Sequence, residues 1–277
     1  MPTGPAVADW DSGTGLKGYA WHAAEPRAAV LMSHGYAEHA LRYVAHYSCL
    51  VPHLVAAGIS VYALDMRGHG GSPGRRGGVD VSEEVRAHGA ARRALSATGR
   101  PLFLFGHSLG GLVTAASVAR DPRGVAGVVL SSPALLVPSG AALRRVTRLL
   151  ARLMPALGVR TPEPPEGLSR LPEEVAAFAA DPMIYRGRIQ AILAASTLAV
   201  SHESWSRYPG WDLPTLLFHG TADRFTDPEG SERFAATIRS PDKQFIRVPE
   251  GRHELLNDEG REALLETVLA WLRQRLP

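Results

Sequence analysis

The stretch LFLFGHSLGG at residues 102–111 decides the fold of this chain. Its first half is apolar throughout, as in a buried strand, and residues 112–120 follow it with a helix-like pattern. Between the two, Gly-x-Ser-x-Gly forms a nucleophile elbow with Ser108 at its tip. Gly106 and Gly110 are needed there because a larger residue at either position would collide with neighbouring backbone. We therefore predict a strained turn that holds the Ser108 hydroxyl clear of the chain, beside the N–H groups of a helix start.

Further strand-like runs on both sides of this stretch, several of them apolar throughout, predict the rest of a sheet. They cover residues 16–21, 28–33, 59–64, 125–130, 214–218 and 244–248. Helical patterns separate most of them, one of which covers residues 39–57 and stops at Gly58, and residues 1–14 are expected to form a loosely packed lead-in. Strands that are apolar throughout are typical of a parallel sheet covered on both faces. The sequence thus predicts an α/β fold that binds its ligand at the carboxyl ends of the strands.

One long segment interrupts this alternation. Prolines cluster in residues 137–208, no strand is predicted there, and residues 141–154 and 184–200 have helical patterns. We predict a first core part at 1–136, a helical cap at 137–208 and a second core part at 209–277. An insertion between two strands is well placed to cover a site at the sheet edge.

A serine nucleophile requires a base and an acid, and the chain provides both after the elbow. The base must lie within hydrogen-bond reach of the hydroxyl, and a histidine base needs a carboxylate that fixes its tautomer. Asp223 follows the run at 214–218, and His253 follows the last predicted strand. The order Ser, Asp, His, with each residue after its own strand, predicts a catalytic triad of Ser108, Asp223 and His253.

Two other aspartates compete for the acid role. Asp227 precedes Pro228, which predicts that it caps the following helix instead. Asp258 is a weaker competitor. Asp223 is preferred because it stands closest to the end of its strand.

An ester also needs two donors for the oxyanion that develops during attack. The backbone N–H of Leu109, directly after the nucleophile, is predicted as one of them. The other is predicted to be the N–H of Tyr36, which follows His34-Gly35 at the end of the run 28–33. A plain turn at His34-Gly35 is the alternative interpretation.

Composition excludes several other classes of protein. The chain has 277 residues, 30 Lys and Arg against 27 Asp and Glu, and a net charge of +3. No basic run is present that would follow a nucleic-acid backbone, so no nucleic-acid partner is predicted. A single cysteine excludes an internal disulfide and a cysteine-based metal cluster. The first residues do not have the pattern of a signal peptide and no apolar run is long enough to span a membrane, so we expect a cytoplasmic protein.

Taken together, the motifs resemble the monoacylglycerol lipase and lysophospholipase family of the α/β-hydrolase fold. The matching segments are HGYAEH at 34–39 with Arg42-Tyr43, DMRGHGGSPG at 65–74, GHSLGG at 106–111, LSSPA at 130–134, HGTAD at 219–223 and GRH at 251–253. Two positions depart from the family pattern: Ala37 stands where glycine is frequent, and Leu256 stands where some relatives carry a second histidine near the glycerol end.

The resemblance implies a mostly parallel, eight-stranded sheet with a cap, and neither a metal nor an organic cofactor. It also implies hydrolysis of single-acyl lipid esters, with monoacylglycerol as the first candidate substrate. It suggests in addition that Glu38 and Arg42 lie near the polar end of the site. Their four-residue spacing is also that of an ordinary ion pair at the start of a helix, and this interpretation is preferred.

The predicted cap offers candidates for substrate and membrane contact. Its first helical segment carries apolar residues on one face, and those that could line an acyl tunnel are Leu143, Val146, Leu150 and Met154. Ordinary packing of that face on the core is the alternative. Arginines at 144, 148 and 152 form a stripe that could contact anionic lipid headgroups, or could simply be solvated.

We therefore predict a serine hydrolase that cleaves monoacylglycerol through an acyl-enzyme on Ser108. The alternatives within the enzyme class are a lysophospholipase, a short- or medium-chain carboxylesterase and a proline-type aminopeptidase. A ligand-binding protein that keeps the fold without turnover is the alternative from another class. Dehalogenase and epoxide hydrolase chemistry need an aspartate nucleophile, which Ser108 excludes. The sequence leaves the acyl length and the oligomeric state open.

Overall fold

The computed structural model describes residues 5–137 and 139–277 and contains a mostly parallel sheet of eight strands. The strands of the described chain are β1 (Ala8–Asp9), β2 (Gly18–Trp21), β3 (Ala28–Ser33), β4 (Ile59–Leu64), β5 (Leu102–His107), β6 (Gly127–Ser131), β7 (Gly158–Arg160), β8 (Ile189–Gln190), β9 (Thr215–Gly220) and β10 (Lys243–Val248). The large sheet has the order β1-β2-β4-β3-β5-β6-β9-β10, and β7 pairs separately with β8. Only the pairings of β2 with β1 and with β4 are antiparallel in the large sheet. The predicted fold class is confirmed.

Helices cover both faces of this sheet. The helices of the described residues are α1 (Arg42–Ala45), α2 (Leu50–Ala56), α3 (Val81–Ser96), α4 (Ser108–Arg120), α5 (Ala141–Leu153), α6 (Pro172–Ala180), α7 (Ala191–Trp205), α8 (Pro228–Thr237) and α9 (Arg261–Arg273), of which α5, α6 and α7 belong to the insertion. In β5, Phe103 and Phe105 belong to the apolar layer shared with α9, whereas Leu102 and Leu104 belong to the layer on the opposite face. Burial on both faces is the reason why inner strands such as β3 and β5 are almost entirely apolar.

The predicted helix over residues 39–57 is wrong as a single element. The structure divides it into α1, a 3₁₀ turn at Tyr47–Cys49 and α2, and the three turn residues have φ angles of 52°, 53° and 52°. The break has a tertiary cause: the N–H of Tyr47 donates to Asn257 Oδ1, and Ser48 Oγ donates to the carbonyl of Leu256 at 2.8 Å. Contacts with a distant part of the chain therefore override the local helical pattern.

Two further predictions need correction. The lead-in before residue 15 contains β1, whose Ala8 and Asp9 pair with β2, while its first four residues lie outside the described part. The insertion at 137–208 is not purely helical, because it includes β7 and β8 besides α5, α6 and α7. The insertion lies between β6 and β9, and its residue 138 is outside the described chain.

Among the described residues, none of the helices has both the length and the apolar character needed to cross a membrane.

Candidate active site

The elbow around Ser108 is built as the glycine spacing predicts. Strand β5 ends at His107 and α4 begins at Ser108 without a linker, and Ser108 has a φ of 54°, in the left-handed region. A Cβ on Gly106 would lie 2.7 Å from the carbonyl oxygen of Gly110, and a Cβ on Gly110 would overlap the carbonyl oxygen of Ser33. Both glycines are therefore required sterically, and the strain at Ser108 is held by close packing on each side.

The structure brings the three predicted triad residues together at the carboxyl edge of the sheet. Ser108 Oγ lies 2.9 Å from His253 Nε2, and His253 Nδ1 lies 2.7 Å from Asp223 Oδ2. The three side chains come from the ends of β5, β9 and β10. This chain of contacts has the geometry in which a histidine accepts a serine proton and a carboxylate orients the ring.

Asp223 lies in a dense set of donors. Its Oδ1 accepts the N–H of Phe225 at 2.7 Å and of Thr226 at 3.1 Å, and its Oδ2 also contacts His219 Nε2 at 3.1 Å. Burial alone would raise the pKa of Asp223, but the charge of His253 and the hydrogen bonds with His219 and His253 outweigh it and hold that pKa well below its usual range. The carboxylate is therefore ionised at neutral pH.

His253 responds to the same contact in the opposite direction. Burial acts to lower its pKa, but the facing Asp223 carboxylate outweighs burial, so the pKa of His253 is raised above its ordinary value. The ring also stacks on Phe225, with centroids 4.9 Å apart. A buried imidazole that is oriented and made more basic is suited to act as a general base.

The competing aspartates have other partners. The Asp227 carboxylate accepts the N–H of Glu229 at 3.0 Å and caps α8, as predicted. Asp258 pairs with Arg170 at 3.0 Å and accepts the N–H of Arg252 at 2.8 Å. The carboxylate that contacts His253 is that of Asp223.

The residues expected to bind an oxyanion lie beside the nucleophile. We call residues 34–39 the oxyanion loop and residues 249–258 the histidine loop. A Cβ on Gly35 would lie 3.2 Å from the Cβ of Ser108, so this loop passes directly against the elbow. In the described chain the N–H groups of Tyr36 and Leu109 do not donate to any other protein group. They remain available to a ligand oxygen.

Ala37, the departure from the family pattern in this loop, has a φ of 73°. That conformation is easy for glycine and strained for alanine. Its carbonyl accepts the N–H of Tyr185 in the insertion at 2.8 Å, which holds the strained residue from outside.

Glu38 and Arg42 lie behind the oxyanion loop. Each is 2% exposed, and Arg42 Nη1 contacts Glu38 Oε2 at 2.7 Å and Glu254 Oε1 at 2.8 Å. Because their charged atoms are occupied by protein partners, the structure favours the ion-pair interpretation over direct contact with a substrate.

The predicted tunnel residues of α5 lie mainly on its outer side. Leu143, Val146 and Met154 are 50%, 63% and 52% exposed, and Leu150 is half-buried. Ala151 is the buried residue of this helix, and α5 packs on α7. The side chains of Leu143, Val146 and Met154 therefore neither line an enclosed tunnel nor pack on the core.

A family model described as serine aminopeptidase, S33 (Hydrolase_4) matches residues 24–260. The chain belongs to this family. Its members are serine hydrolases, which agrees with the predicted family and enzyme class.

Individual relatives carry lipase names. The monoacylglycerol lipase of Mycolicibacterium smegmatis is 34% identical over 258 residues, which cover 91% of this chain and 90% of that protein. The monoglyceride lipase of Homo sapiens is 30% identical over 90% of this chain and 84% of its own length. Among solved structures, the monoacylglycerol lipase of Paleococcus ferrophilus superposes with a TM-score of 0.84 at 32% identity, covering 94% of this chain and 99% of that one.

Sequence reasoning missed several buried polar residues around the site. His219 Nε2 contacts Asp223 Oδ2, the same oxygen that His253 contacts, and its Nδ1 lies 2.6 Å from Ser231 Oγ. Glu254 directly follows His253 and is 3% exposed. A charged residue next to the predicted base was the available signal for Glu254. The described residues hold no cluster of three or more His, Cys, Asp or Glu side chains that could bind a metal ion.

Proposed function

We propose that this chain hydrolyses monoacylglycerols to fatty acid and glycerol, with Ser108 as nucleophile, His253 as base and Asp223 as the orienting acid. The observation that carries the proposal is the 2.9 Å and 2.7 Å contact chain of these three side chains beside two N–H groups without protein acceptors. The names of the M. smegmatis, human and P. ferrophilus relatives support the choice of substrate class.

The proposed reaction proceeds in two halves. His253 Nε2 accepts the Ser108 proton as Oγ attacks the ester carbonyl, and the N–H groups of Tyr36 and Leu109 bind the oxyanion. The protonated His253 then donates to the glycerol oxygen, glycerol leaves, and the acyl group stays on Ser108. A water molecule then gives its proton to His253 and attacks the acyl carbonyl. The fatty acid leaves as the proton returns to Ser108.

Recognition of the glycerol end is proposed to be loose. Leu256, where some relatives are expected to carry a histidine, is fully buried in the apolar core and offers no polar contact to a headgroup. The kcat/KM for a monoacylglycerol and for the methyl ester of the same fatty acid should therefore differ by less than about tenfold, since one hydrogen-bonding contact is worth about 1 kcal/mol.

A substrate series tests the activity. Wild-type protein and Ser108→Ala are assayed on nitrophenyl esters from acetyl to long acyl chains, on monoacylglycerol, on lysophospholipid and on a proline amide. The proposal expects the highest kcat/KM on single-acyl lipid esters and none with the variant. A higher kcat/KM on acetyl esters than on longer esters would establish a carboxylesterase, and the highest kcat/KM on lysophospholipid would establish a lysophospholipase. Turnover of the amide alone would establish a peptidase. Binding of these ligands without turnover by the wild type would establish a non-catalytic protein.

We further propose that the insertion acts as a cap that touches a membrane surface through α5. Its exposed residues form what we call the α5 apolar face: Leu143, Val146, Leu149, Leu153 and Met154. Arg148 and Arg152 are exposed on the same helix, and an apolar face flanked by arginines suits an anionic bilayer surface. A cytoplasmic location, which suits contact with an inner membrane leaflet, stays a prediction.

Vesicle binding tests this contact. The double variant Leu149→Ser/Leu153→Ser should bind anionic vesicles about tenfold more weakly than wild type, and Thr147→Ser on the same helix serves as the control. Turnover of a water-soluble nitrophenyl ester should be equal for all three proteins. Equal vesicle binding by the double variant would contradict the proposal.

A further inference from the structure

One buried ion network joins the two loops that supply the proposed oxyanion donor and base. Glu38 belongs to the oxyanion loop and Glu254 belongs to the histidine loop, and the Arg42 guanidinium lies between them. Arg42 Nη1 is 2.7 Å from Glu38 Oε2 and 2.8 Å from Glu254 Oε1, and its Nη2 is 3.1 Å from Glu254 Oε2. The two carboxylates are separated by more than 200 positions in sequence, so this network is a tertiary connection between loops.

The network has one well-defined geometry because neighbouring groups complete it. Tyr47 donates its hydroxyl to Glu38 Oε2 at 2.9 Å, and Asn257 Nδ2 donates to Glu254 Oε2 at 2.6 Å. The guanidinium faces the Phe178 ring of α6, 4.9 Å from the ring centroid. Hydrogen bonds from a planar guanidinium are directional, and the contact of Arg42 with Glu254 is bidentate. A shift of either carboxylate would therefore break its contact with Arg42.

The other oxygen of Glu38 reaches the oxyanion loop itself. Glu38 Oε1 accepts the N–H of Gly35 at 2.6 Å and the hydroxyl of Tyr43 at 2.9 Å. Gly35 directly precedes Tyr36, whose N–H is the proposed oxyanion donor. The place of the Glu38 carboxylate therefore determines where this N–H points relative to the elbow.

We propose that Glu254 is a positioning residue, which through Arg42 and Glu38 fixes the oxyanion loop relative to the histidine loop. This inference rests on the proposed function, because only a reaction that develops an oxyanion requires a fixed distance between the oxyanion loop and the histidine loop. Misplacement of a catalytic donor by about 1 Å can cost about 100-fold in rate. Glu254 does not touch the reacting atoms, so its effect on the position of the oxyanion donor is exerted through the loop.

The network also adds charge beside the base. Two carboxylates against one guanidinium leave one net negative charge. The charged or titratable groups that face His253 are the carboxylates of Asp223, Glu254 and Glu38 and the His107 ring, whose centroid is 4.8 Å away. The negative charges of Glu254 and Glu38 both act to raise the pKa of His253. Removing the Glu254 charge should lower the pKa of His253. The acid limb, which is the low-pH part of the profile where kcat/KM rises with pH, should therefore move to lower pH.

The test compares Glu254→Gln and Glu254→Asp with wild type, using whichever nitrophenyl ester the wild type turns over. Glu254→Gln should lower kcat at least tenfold and leave KM within about twofold. It should weaken binding of an alkyl boronic acid, which adds to Ser108 as a tetrahedral adduct, by the same factor as kcat. Its acid limb should lie at lower pH. Glu254→Asp keeps the charge but is one methylene shorter, so it should restore the acid limb and recover kcat only partly.

Asp258→Asn is the matched control. Asp258 is also a buried carboxylate in the histidine loop, and it is also paired with an arginine, but its partner Arg170 does not belong to the network. This variant should lose thermal stability while its acid limb stays in place. An equal shift of the acid limb in Asp258→Asn and Glu254→Gln would overturn the charge assignment.

Arg42→Lys keeps the result decisive if Glu254→Gln fails to fold. Lysine retains the positive charge but cannot bridge two carboxylates with a planar fork. Its kcat and boronic acid affinity should fall together, with KM little changed. Unchanged kcat and boronic acid affinity in a folded variant of Glu254 or Arg42 would overturn the proposal. Failure of the substrate assignment would appear separately, in the wild type's choice among esters and amides. If the wild type has no turnover, boronic acid binding still distinguishes the variants.

Discussion

The carboxyl edge of the sheet and the α5 helix of the insertion differ in the burial of their apolar side chains. At the edge, Ser108 and Asp223 follow β5 and β9, whose residues are buried on both faces, and His253 follows the partly exposed outer strand β10. On α5, the apolar face lies exposed and Ala151 is the buried residue. The proposed chemistry therefore depends on backbone positions fixed at the edge of the sheet, whereas the proposed contact with lipid depends on side chains exposed on α5.

The acid assignment gives the largest expected difference at the edge. Asp223→Asn should lower kcat about 10⁴-fold, because an amide favours the wrong histidine tautomer. The matched control Asp227→Asn removes a carboxylate four residues away that caps α8, and it should keep kcat within a few-fold while costing at most about 1 kcal/mol of stability. Steady-state kinetics on one ester checks both, and loss of turnover only at 227 would reverse the assignment.

A pair of glycine substitutions compares the two regions by stability. Gly110→Ala should cost about 3 kcal/mol or more in the free energy of unfolding, since its Cβ would overlap the Ser33 carbonyl in a close-packed turn. Gly140→Ala, before α5, has no heavy atom within 4 Å of the added Cβ and should cost less than about 1 kcal/mol. Urea unfolding measures both values. Equal costs would mean that the elbow is not close-packed.

The pH dependence tests the electrostatics of the edge. Neutral His253 is the proposed base, and its pKa is raised above the ordinary value of 6.5 because the Asp223 carboxylate outweighs burial. Activity should therefore rise with pH through an acid limb of kcat/KM whose midpoint lies above 6.5. A pH–rate profile of the wild type checks this. A midpoint below 6.5 would show that burial dominates.

Much of the edge could be predicted from the sequence because its signals are local. The run 102–107 is apolar on both faces, the elbow glycines sit at fixed spacing, and parallel strands bring their following loops to one edge. That reasoning selected Asp223 over Asp227, and the structure brings Asp223 to His253.

The rest depends on contacts between distant residues. The break at Tyr47–Cys49 comes from hydrogen bonds to residues 256 and 257, which no local pattern reveals. The α5 helix was expected to line a tunnel or pack on the core, but an amphipathic pattern does not specify what its apolar face meets. The spacing of Glu38 and Arg42 predicted their ion pair, but Glu254, the partner that joins the loops, is remote in sequence.

The most direct test of the central claim is release of fatty acid from a monoacylglycerol by wild-type protein and by Ser108→Ala, measured together with glycerol. The account predicts equal amounts of fatty acid and glycerol from the wild type. It also predicts a rate for the variant that is lower by about 10⁶-fold, at the limit of detection. No release by the wild type, or release by the variant at a similar rate, would contradict it.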